Sequence, residues 1–202
     1  MANDKKSRLL YWESFSATDS QPDEQENATL GSHGPPGEDL AALRRGIGRE
    51  PGAVPQMWTF YAHLNRGGII TPELTAEHHA LALYGVHQQS ERTLVHWLNV
   101  PVGQAVAALV SSQRHSAASV KQRFMNAATA QDVLEVAFHL RSLVQLLKTL
   151  TPTQGFDYTQ LFWDLRGWQD PLLRAKTQRQ WGAAFYWNLK PNKNNSTTDK
   201  ES

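Results

Sequence analysis

The stretch AQDVLEVAFHLRSLVQLLKTL, residues 130–150, carries the clearest structural pattern in the chain. Its apolar residues recur at steps of three and four, which places them on one face of a helix. Thr129 precedes the pattern as an N-cap, and Asp132 lies where the helix dipole favours a negative charge. The spacing predicts a helix over residues 130–150. Its buried stripe consists of Val133, Ala137, Leu140, Val144 and Leu147.

Helical patterns also cover most of the chain around this segment. Asp157 has capping-box spacing to Gln160, and Asp170 is an N-cap followed by a proline at the first helical position. Strand patterns are almost absent. We therefore predict an all-α fold of two small packed bundles with roughly eight helices. Besides the helices that follow Asp157 and Asp170, the predicted helices span residues 38–45, 53–64, 75–88, 102–111 and 116–126.

Single residues predict several details of these helices. Thr75 is expected to cap the helix over residues 75–88. Gly46 is expected to end the first helix in a left-handed conformation. Trp163, Trp181 and Phe185 are expected to be core anchors rather than stacking platforms for bases.

Composition divides the chain into four predicted regions. Residues 1–37 form a mostly flexible acidic leader that can include a short helix docking Leu10, Trp12 and Phe15. Residues 38–100 form an N-terminal helical bundle and residues 101–189 a C-terminal one. Residues 190–202 are expected to be a disordered tail.

Charge is distributed unevenly, although the net charge of the 202 residues is only +1. Residues 1–40 carry eight acids against three bases, whereas residues 41–190 carry fifteen bases against nine acids. A folded body with a positive face fits these counts, and scattered solvated charges fit them about as well. Cysteine is absent, and no apolar run is long enough for a signal peptide or a membrane span. We expect a cytoplasmic protein without membrane contact.

Motifs for metal binding and catalysis are missing. His78 and His79 are adjacent, so their side chains point about 100° apart on a helix and form a poor chelating pair. Glu77 and His87 do not complete a recognised ligand spacing. Neither a GxSxG nucleophile motif nor a GxxxxGK[ST] phosphate loop occurs. We expect no metal site, no cofactor and no enzymatic activity.

Basic residues provide the remaining functional signal. Arg141, Gln145 and Lys148 are spaced four and three apart, so they form one row on the long helix. Such a row can contact successive phosphates, and a solvated helix shoulder has the same spacing. Lys121 and Arg123 flank opposite shoulders of an apolar stripe, so at most one of them should face the same groove as that row.

Five short motifs follow one another along the chain. They are LAALRRGIGREPG at residues 40–52, VKQRF at 120–124, FHLRSLVQLLK at 138–148, DYTQLFWDLRGWQDP at 157–171 and RQWGAAFYW at 179–187. Each motif alone is weak, but in this order they resemble the CasB family, the small subunit of the type I-E CRISPR surveillance complex called Cascade. The resemblance covers roughly residues 38–188. It departs from the family pattern at Gln122-Arg123 and Arg179-Gln180, where the family has paired arginines.

The resemblance implies an all-helical, non-catalytic protein with an N-terminal and a C-terminal bundle. Two copies are expected to stack head to tail in a ribonucleoprotein that carries a guide RNA, in contact with its backbone and large subunits. The basic surface is expected to hold the guide RNA and the opened target DNA, including the displaced strand. The residues that match the family's basic motifs or support them are Arg44, Arg45, Arg49, Lys121, Arg123, Arg141 and Lys148.

Gly46 and Gly48 lack Cβ atoms, which is expected to let a strand approach the backbone beside the arginines. Two other functions remain open. A helical scaffold or adaptor would bind only protein partners, and its arginines would form ion pairs at interfaces. A helix-turn-helix regulator is a weaker alternative, because residues 75–98 offer no convincing polar face for reading bases.

Overall fold

The fold, a computed structural model, is described for residues 9–15 and 34–189, and its regular structure there is helical. This confirms the all-α prediction. Most of the predicted leader and the whole predicted tail, residues 190–202, lie outside the described residues. Two 3₁₀ helices span Tyr11–Phe15 and Pro55–Phe60. The α-helices are α1 (Gly37–Arg44), α2 (Pro72–Gln88), α3 (Val102–Ser111), α4 (Ala117–Ala128), α5 (Val133–Leu147), α6 (Tyr158–Trp168) and α7 (Pro171–Asn188).

Helix α2 is buried along almost its entire length, and α1, α5 and α6 pack around it. Burial on every face is typical of a helix in the interior of a fold. Helix α2 begins at Pro72, and the Thr71 hydroxyl caps it by accepting a hydrogen bond from the Leu74 amide at 3.1 Å. The prediction of Thr75 as the cap was therefore wrong by one turn.

Two buried polar side chains of α2, Glu77 and Gln88, bind backbone groups of neighbouring segments. Glu77 is fully buried, and its carboxylate accepts hydrogen bonds from the amides of Ala62 at 2.6 Å and His63 at 2.9 Å. The Gln88 amide group accepts from the Val95 amide at 3.0 Å and donates to the Thr93 carbonyl at 3.0 Å. Buried polar groups are tolerated only with such partners, so α2 fixes the segments that precede and follow it.

The C-terminal end of α2 is capped by Lys148, the residue that directly follows α5. The Lys148 ammonium donates to the carbonyls of Val86 at 3.0 Å, His87 at 3.1 Å and Gln89. It also lies 3.5 Å from the Glu91 carboxylate. The last carbonyls of a helix have no partner within the helix, and they attract a positive charge. Burial lowers the pKa of Lys148, and Glu91 opposes that shift.

Helix α5 carries the predicted stripe on its buried face, which confirms the pattern of residues 133–147. Its N-cap is Asp132, whose carboxylate accepts from the Glu135 amide at 2.8 Å. Thr129, the predicted cap, closes the preceding helix α4 instead. The helix ends at Leu147 rather than at residue 150, with Lys148 as its C-cap.

Helices α6 and α7 begin where the sequence predicts. Asp157 accepts from the Gln160 amide at 2.9 Å, and Asp170 caps α7 ahead of a proline. Trp181 is fully buried, as expected, but Trp163 is 56% exposed and was wrongly predicted as a core anchor. The α3–α7 contact is close because Gly103 has no side chain, and a Cβ atom there would lie 2.3 Å from the Trp181 carbonyl.

The N-terminal segment docks on the core as predicted, whereas residues 53–64 differ from the prediction. Leu10 and Trp12 dock as predicted, and the Trp12 indole donates to the Thr159 hydroxyl at 2.9 Å. Residues 53–64 do not form an α-helix but the short 3₁₀ helix Pro55–Phe60. Buried side chains from both halves of the chain belong to one hydrophobic cluster. The division into bundles at residue 100 stays a prediction.

We expect Lys148→Met to lower the free energy of unfolding by about 1–3 kcal/mol, because it leaves the last carbonyls of α2, two of them partly buried, without this donor. Arg141→Met is the matched control, since it removes a positive charge from an exposed position of the same helix and should change stability by no more than about 0.5 kcal/mol. Urea unfolding followed by circular dichroism measures both. Equal losses in the two variants would contradict the capping role.

Two kinds of buried group give stability opposite dependences on pH. Burial lowers the pKa of His79 to about 4 and of His87 to about 3, below the ordinary 6.5. The unfolded chain therefore binds protons that the folded state excludes. As a result, these two histidines lower the free energy of unfolding as the pH drops below about 6.5. Burial raises the pKa of Asp164 to about 7 from 3.8. The stabilisation that Asp164 contributes is therefore fully present below about pH 3.8 and is lost as the pH rises to about 7.

We expect Asp164→Asn to stabilise the protein at pH 7.5 and to have little effect at pH 4. The neutral amide can still accept the hydrogen bond that Trp181 donates to Asp164 at 2.6 Å, without the cost of a buried charge. Urea titrations of both proteins at the two pH values measure this difference, and the histidine contribution is common to both. The same stability change at pH 4 and pH 7.5 would rule out the assigned ionisation.

Candidate nucleic-acid interface

The first predicted basic residues lie where α1 ends, in a segment that we call the arginine loop, residues 44–49. Arg44 is half-buried, and its Nε donates to the Leu40 carbonyl at 3.2 Å. Arg45 and Arg49 are both exposed. The loop therefore presents two guanidinium groups to solvent and uses the third within α1.

Gly46 anchors the arginine loop to the core. A Cβ atom at this position would lie 2.5 Å from the Met57 sulfur, so the glycine is required for packing within the chain. The Gly46 carbonyl accepts a hydrogen bond from His78 Nε2 at 2.9 Å, while His78 Nδ1 lies 2.7 Å from the Tyr61 hydroxyl. Since a carbonyl can only accept, Nε2 carries the proton and Nδ1 accepts from Tyr61. Burial lowers the pKa of His78, which favours this neutral ring.

The expected left-handed conformation is not at Gly46 but at Gly48, where φ is +67°. A Cβ atom at Gly48 would meet none of the other described residues within 4 Å, its chain neighbours aside. The backbone there is open, so the close approach expected at both glycines remains feasible only at Gly48. On either side of Gly48, Arg45 and Arg49 border one surface groove, together with Val54 and Pro55.

Arg141 approaches the arginine loop from α5. It is exposed, and it lines a second groove with Ile47 and Gly48 of the loop. Leu134 and Phe138, from the same helix, line this groove too, and we call it the Phe138 groove. Phe138 is not among the residues predicted from the sequence for this interface. The available signal was an aromatic residue one position beyond the buried stripe, where it must face outward.

Lys121 and Arg123 are exposed on α4, on either side of the buried Phe124. Helix α4 packs against α5, while α1 packs against α2, and α2 and α5 pack against each other. The two residues therefore lie on a different helix from the arginine loop, with α5 and Arg141 between the two helices in packing order. Their part in a shared surface stays a prediction.

The exposed basic residues of the predicted interface have no carboxylate partner within the described part of the chain. No carboxylate there lies within 4.0 Å of their charged groups, unlike Arg166, which pairs with Glu73 at 2.8 Å. Glu50 and Asp132 do border a groove beside Arg49, which weakens its attraction for anions. The unpaired set consists of Arg45, Arg49, Lys121, Arg123 and Arg141.

Lys148, the last predicted contact, is separate from this set. Its ammonium already binds three carbonyls at the end of α2. A nucleic-acid contact through Lys148 stays a prediction, but its charge has a structural role that the spacing on α5 does not reveal.

The arrangement suits the binding of anions by charge. Exposed guanidinium groups can donate paired hydrogen bonds to phosphate oxygens. Among residues 9–15 and 34–189, no group of three or more His, Cys, Asp or Glu residues is placed to hold a metal ion. None of the helices in that part of the chain is both long and apolar enough to cross a membrane.

Known proteins are similar to this chain in sequence and in fold. The model of the family described as CRISPR-associated protein Cse2 matches residues 39–186. CasB from Thermobifida fusca is 27% identical, with a TM-score of 0.60 over 74% of this chain and 84% of that chain. CasB from M. ruber is 26% identical, with a TM-score of 0.58 over 75% of this chain and 85% of that chain. CasB from Thermus thermophilus is 26% identical, with a TM-score of 0.57 over 74% of this chain and 86% of that chain.

No curated protein sequence matches the chain. The family model nevertheless covers well over half of it, and the solved structures share its helical fold. These findings confirm the resemblance carried by the five motifs. The chain belongs to the CRISPR-associated Cse2 family, also named CasB, a family of structural subunits of Cascade.

Proposed function

We propose that this chain is the non-catalytic small subunit of a type I-E Cascade complex and binds nucleic-acid backbones without reading their sequence. Its ligands are the guide RNA and the opened target DNA, including the displaced strand. Its protein partners are the backbone and large subunits and a second copy of itself, in the cytoplasm. Family membership supports the coarser assignment to Cascade.

One observation carries the nucleic-acid part of this proposal. Arg45 and Arg141 are exposed beside the same loop, and neither has a carboxylate partner within the described residues. An exposed guanidinium without a carboxylate partner is free to donate paired, charge-assisted hydrogen bonds to an anion. A phosphate backbone supplies such anions at regular spacing.

Charge alone is sufficient for this function. In an RNA-guided complex, base pairing between guide and target reads the sequence, so the protein need only recognise backbone and shape. The exposed basic residues lie in the arginine loop that follows α1, on α5 and on α4. The packing of α2 against α1 and α5, and of α5 against α4, supports a route across successive helices. Such a route suits an extended strand better than a compact ligand.

We expect Arg45→Ala and Arg141→Ala each to weaken binding of target DNA by the assembled complex about three- to tenfold. Each loss of one phosphate contact should also reduce the slope of log affinity against log salt by about 0.7–0.9. Fluorescence anisotropy over a salt series measures both quantities. Lys176→Ala is the control, since it removes an exposed charge from α7. A salt slope unchanged in both arginine variants would contradict the proposal.

We also expect the arginine variants to assemble normally. After co-expression with the other Cascade subunits and a repeat-containing transcript, wild type and Arg45→Ala should purify equally well, with RNA of uniform length. The protein-only adaptor predicts the opposite result, because its arginines form ion pairs at subunit interfaces. Loss of Arg45→Ala from the complex, with unchanged DNA affinity in whatever assembles, would establish the adaptor instead.

A further inference from the structure

The Phe138 groove has a shape and lining that charge binding does not require. It encloses about 260 Å³ between the arginine loop, α2 and α5. The buried side chains of Ala82, Leu83 and Ala137 form the floor of the groove, while Phe138 at its edge is 71% exposed. Most of this lining is apolar. The groove is smaller than the about 300–1,000 Å³ of pockets for drug-sized ligands, so it suits a single flat ring.

The charge in the lining of the groove favours an anionic occupant. Among the described residues no carboxylate lines it and Arg141 is its charged side chain, while Glu50 and Asp132 border the adjoining groove beside Arg49. His79 lines the Phe138 groove as well, but burial lowers its pKa to about 4, so the ring is neutral at physiological pH. An occupant with a flat apolar part and a negative charge complements this lining.

Phe138 and Arg141 are placed to act on one ligand. They are three residues apart on α5, so their side chains lie on the same face of the helix. An exposed aromatic ring offers a stacking surface for any base, and a guanidinium group one turn away can bind a phosphate. Gly48 leaves its part of the groove open, since no described residue outside its chain neighbours lies within 4 Å of where its Cβ would be.

The groove also adjoins the surface that carries Arg45 and Arg49. Ile47 lines both the Phe138 groove and the neighbouring groove bordered by those arginines. A strand whose base enters the first groove can therefore continue with its phosphates along the second. An acidic peptide fits the charge equally well, but nothing in its chemistry calls for an exposed aromatic ring.

We infer that the Phe138 groove receives one unstacked base of a single-stranded nucleic acid, with the base against Phe138 and the adjoining phosphate at Arg141. The inference rests on the proposed function and adds to it a preference for single strands, since a base within a duplex cannot enter. An apolar slot of this kind accepts any base, because stacking uses the ring face and not the hydrogen-bonding edge.

Oligonucleotides with and without bases test this inference directly. A thymidine oligomer and an abasic oligomer of the same length carry the same phosphates, so only the former can fill the groove. We expect wild-type protein to bind the thymidine oligomer at least about fivefold more tightly than the abasic one. Phe138→Ala should bind both equally, with an unchanged salt slope, whereas Arg141→Ala should lower the slope for both oligomers.

Two substitutions provide controls. Phe138→Trp keeps a stacking surface and should retain the discrimination. Trp187→Ala removes a side chain that is 88% exposed on α7 and should leave the discrimination unchanged. Circular dichroism checks that each variant is folded, which we expect because both positions face solvent.

The outcomes separate the two proposals. Equal binding of both oligomers by the wild type, or discrimination that survives in Phe138→Ala, overturns the base site but leaves charge binding intact if Arg141→Ala still lowers the slope. A flat salt response in every protein overturns the proposed function itself. Failure of Phe138→Ala to join the other subunits, with unchanged oligonucleotide binding, assigns the groove to a protein segment and also overturns the base site.

Discussion

The fold depends on satisfying the polar groups of a helix that is buried on all sides. Helix α2 brings a carboxylate, imidazoles and unpaired carbonyls into the interior, where each costs free energy unless a partner is supplied. Glu77 ties the segment before α2 to the core, and His78 ties the arginine loop to it through the Gly46 carbonyl. The position of the exposed arginines is therefore a consequence of interior hydrogen bonding.

The same requirement distinguishes two kinds of cation on one helix. Arg141 and Lys148 are seven residues apart on and just beyond α5, so spacing alone places them on the same face. Lys148 lies beside the last carbonyls of α2 and is fully engaged, whereas Arg141 lies beside the arginine loop without a carboxylate partner among the described residues. Periodicity within a helix can group such residues, but only the neighbouring helix decides what each of them binds.

Sequence predicts this fold best where local and tertiary signals agree. The α5 stripe and the Asp170-Pro171 start of α7 are both local patterns, and both are confirmed. The start of α2 was misplaced although Thr71-Pro72 carries the same cap-and-proline signal. The α-helix expected at residues 53–64 is a 3₁₀ helix, and Trp163 faces outward, because tertiary packing overrides residue type at both places.

Around the arginine loop, charge and apolar surface are complementary in what they recognise. Arginines attract any phosphate at long range, and the attraction is weakened by salt. An exposed ring such as Phe138 acts only on contact, is insensitive to salt and discriminates a splayed-out base from one held in a duplex. If the proposed function and base site hold, a surface with both features favours opened strands over closed ones without reading their sequence. That preference accords with a complex in which the guide RNA reads the sequence.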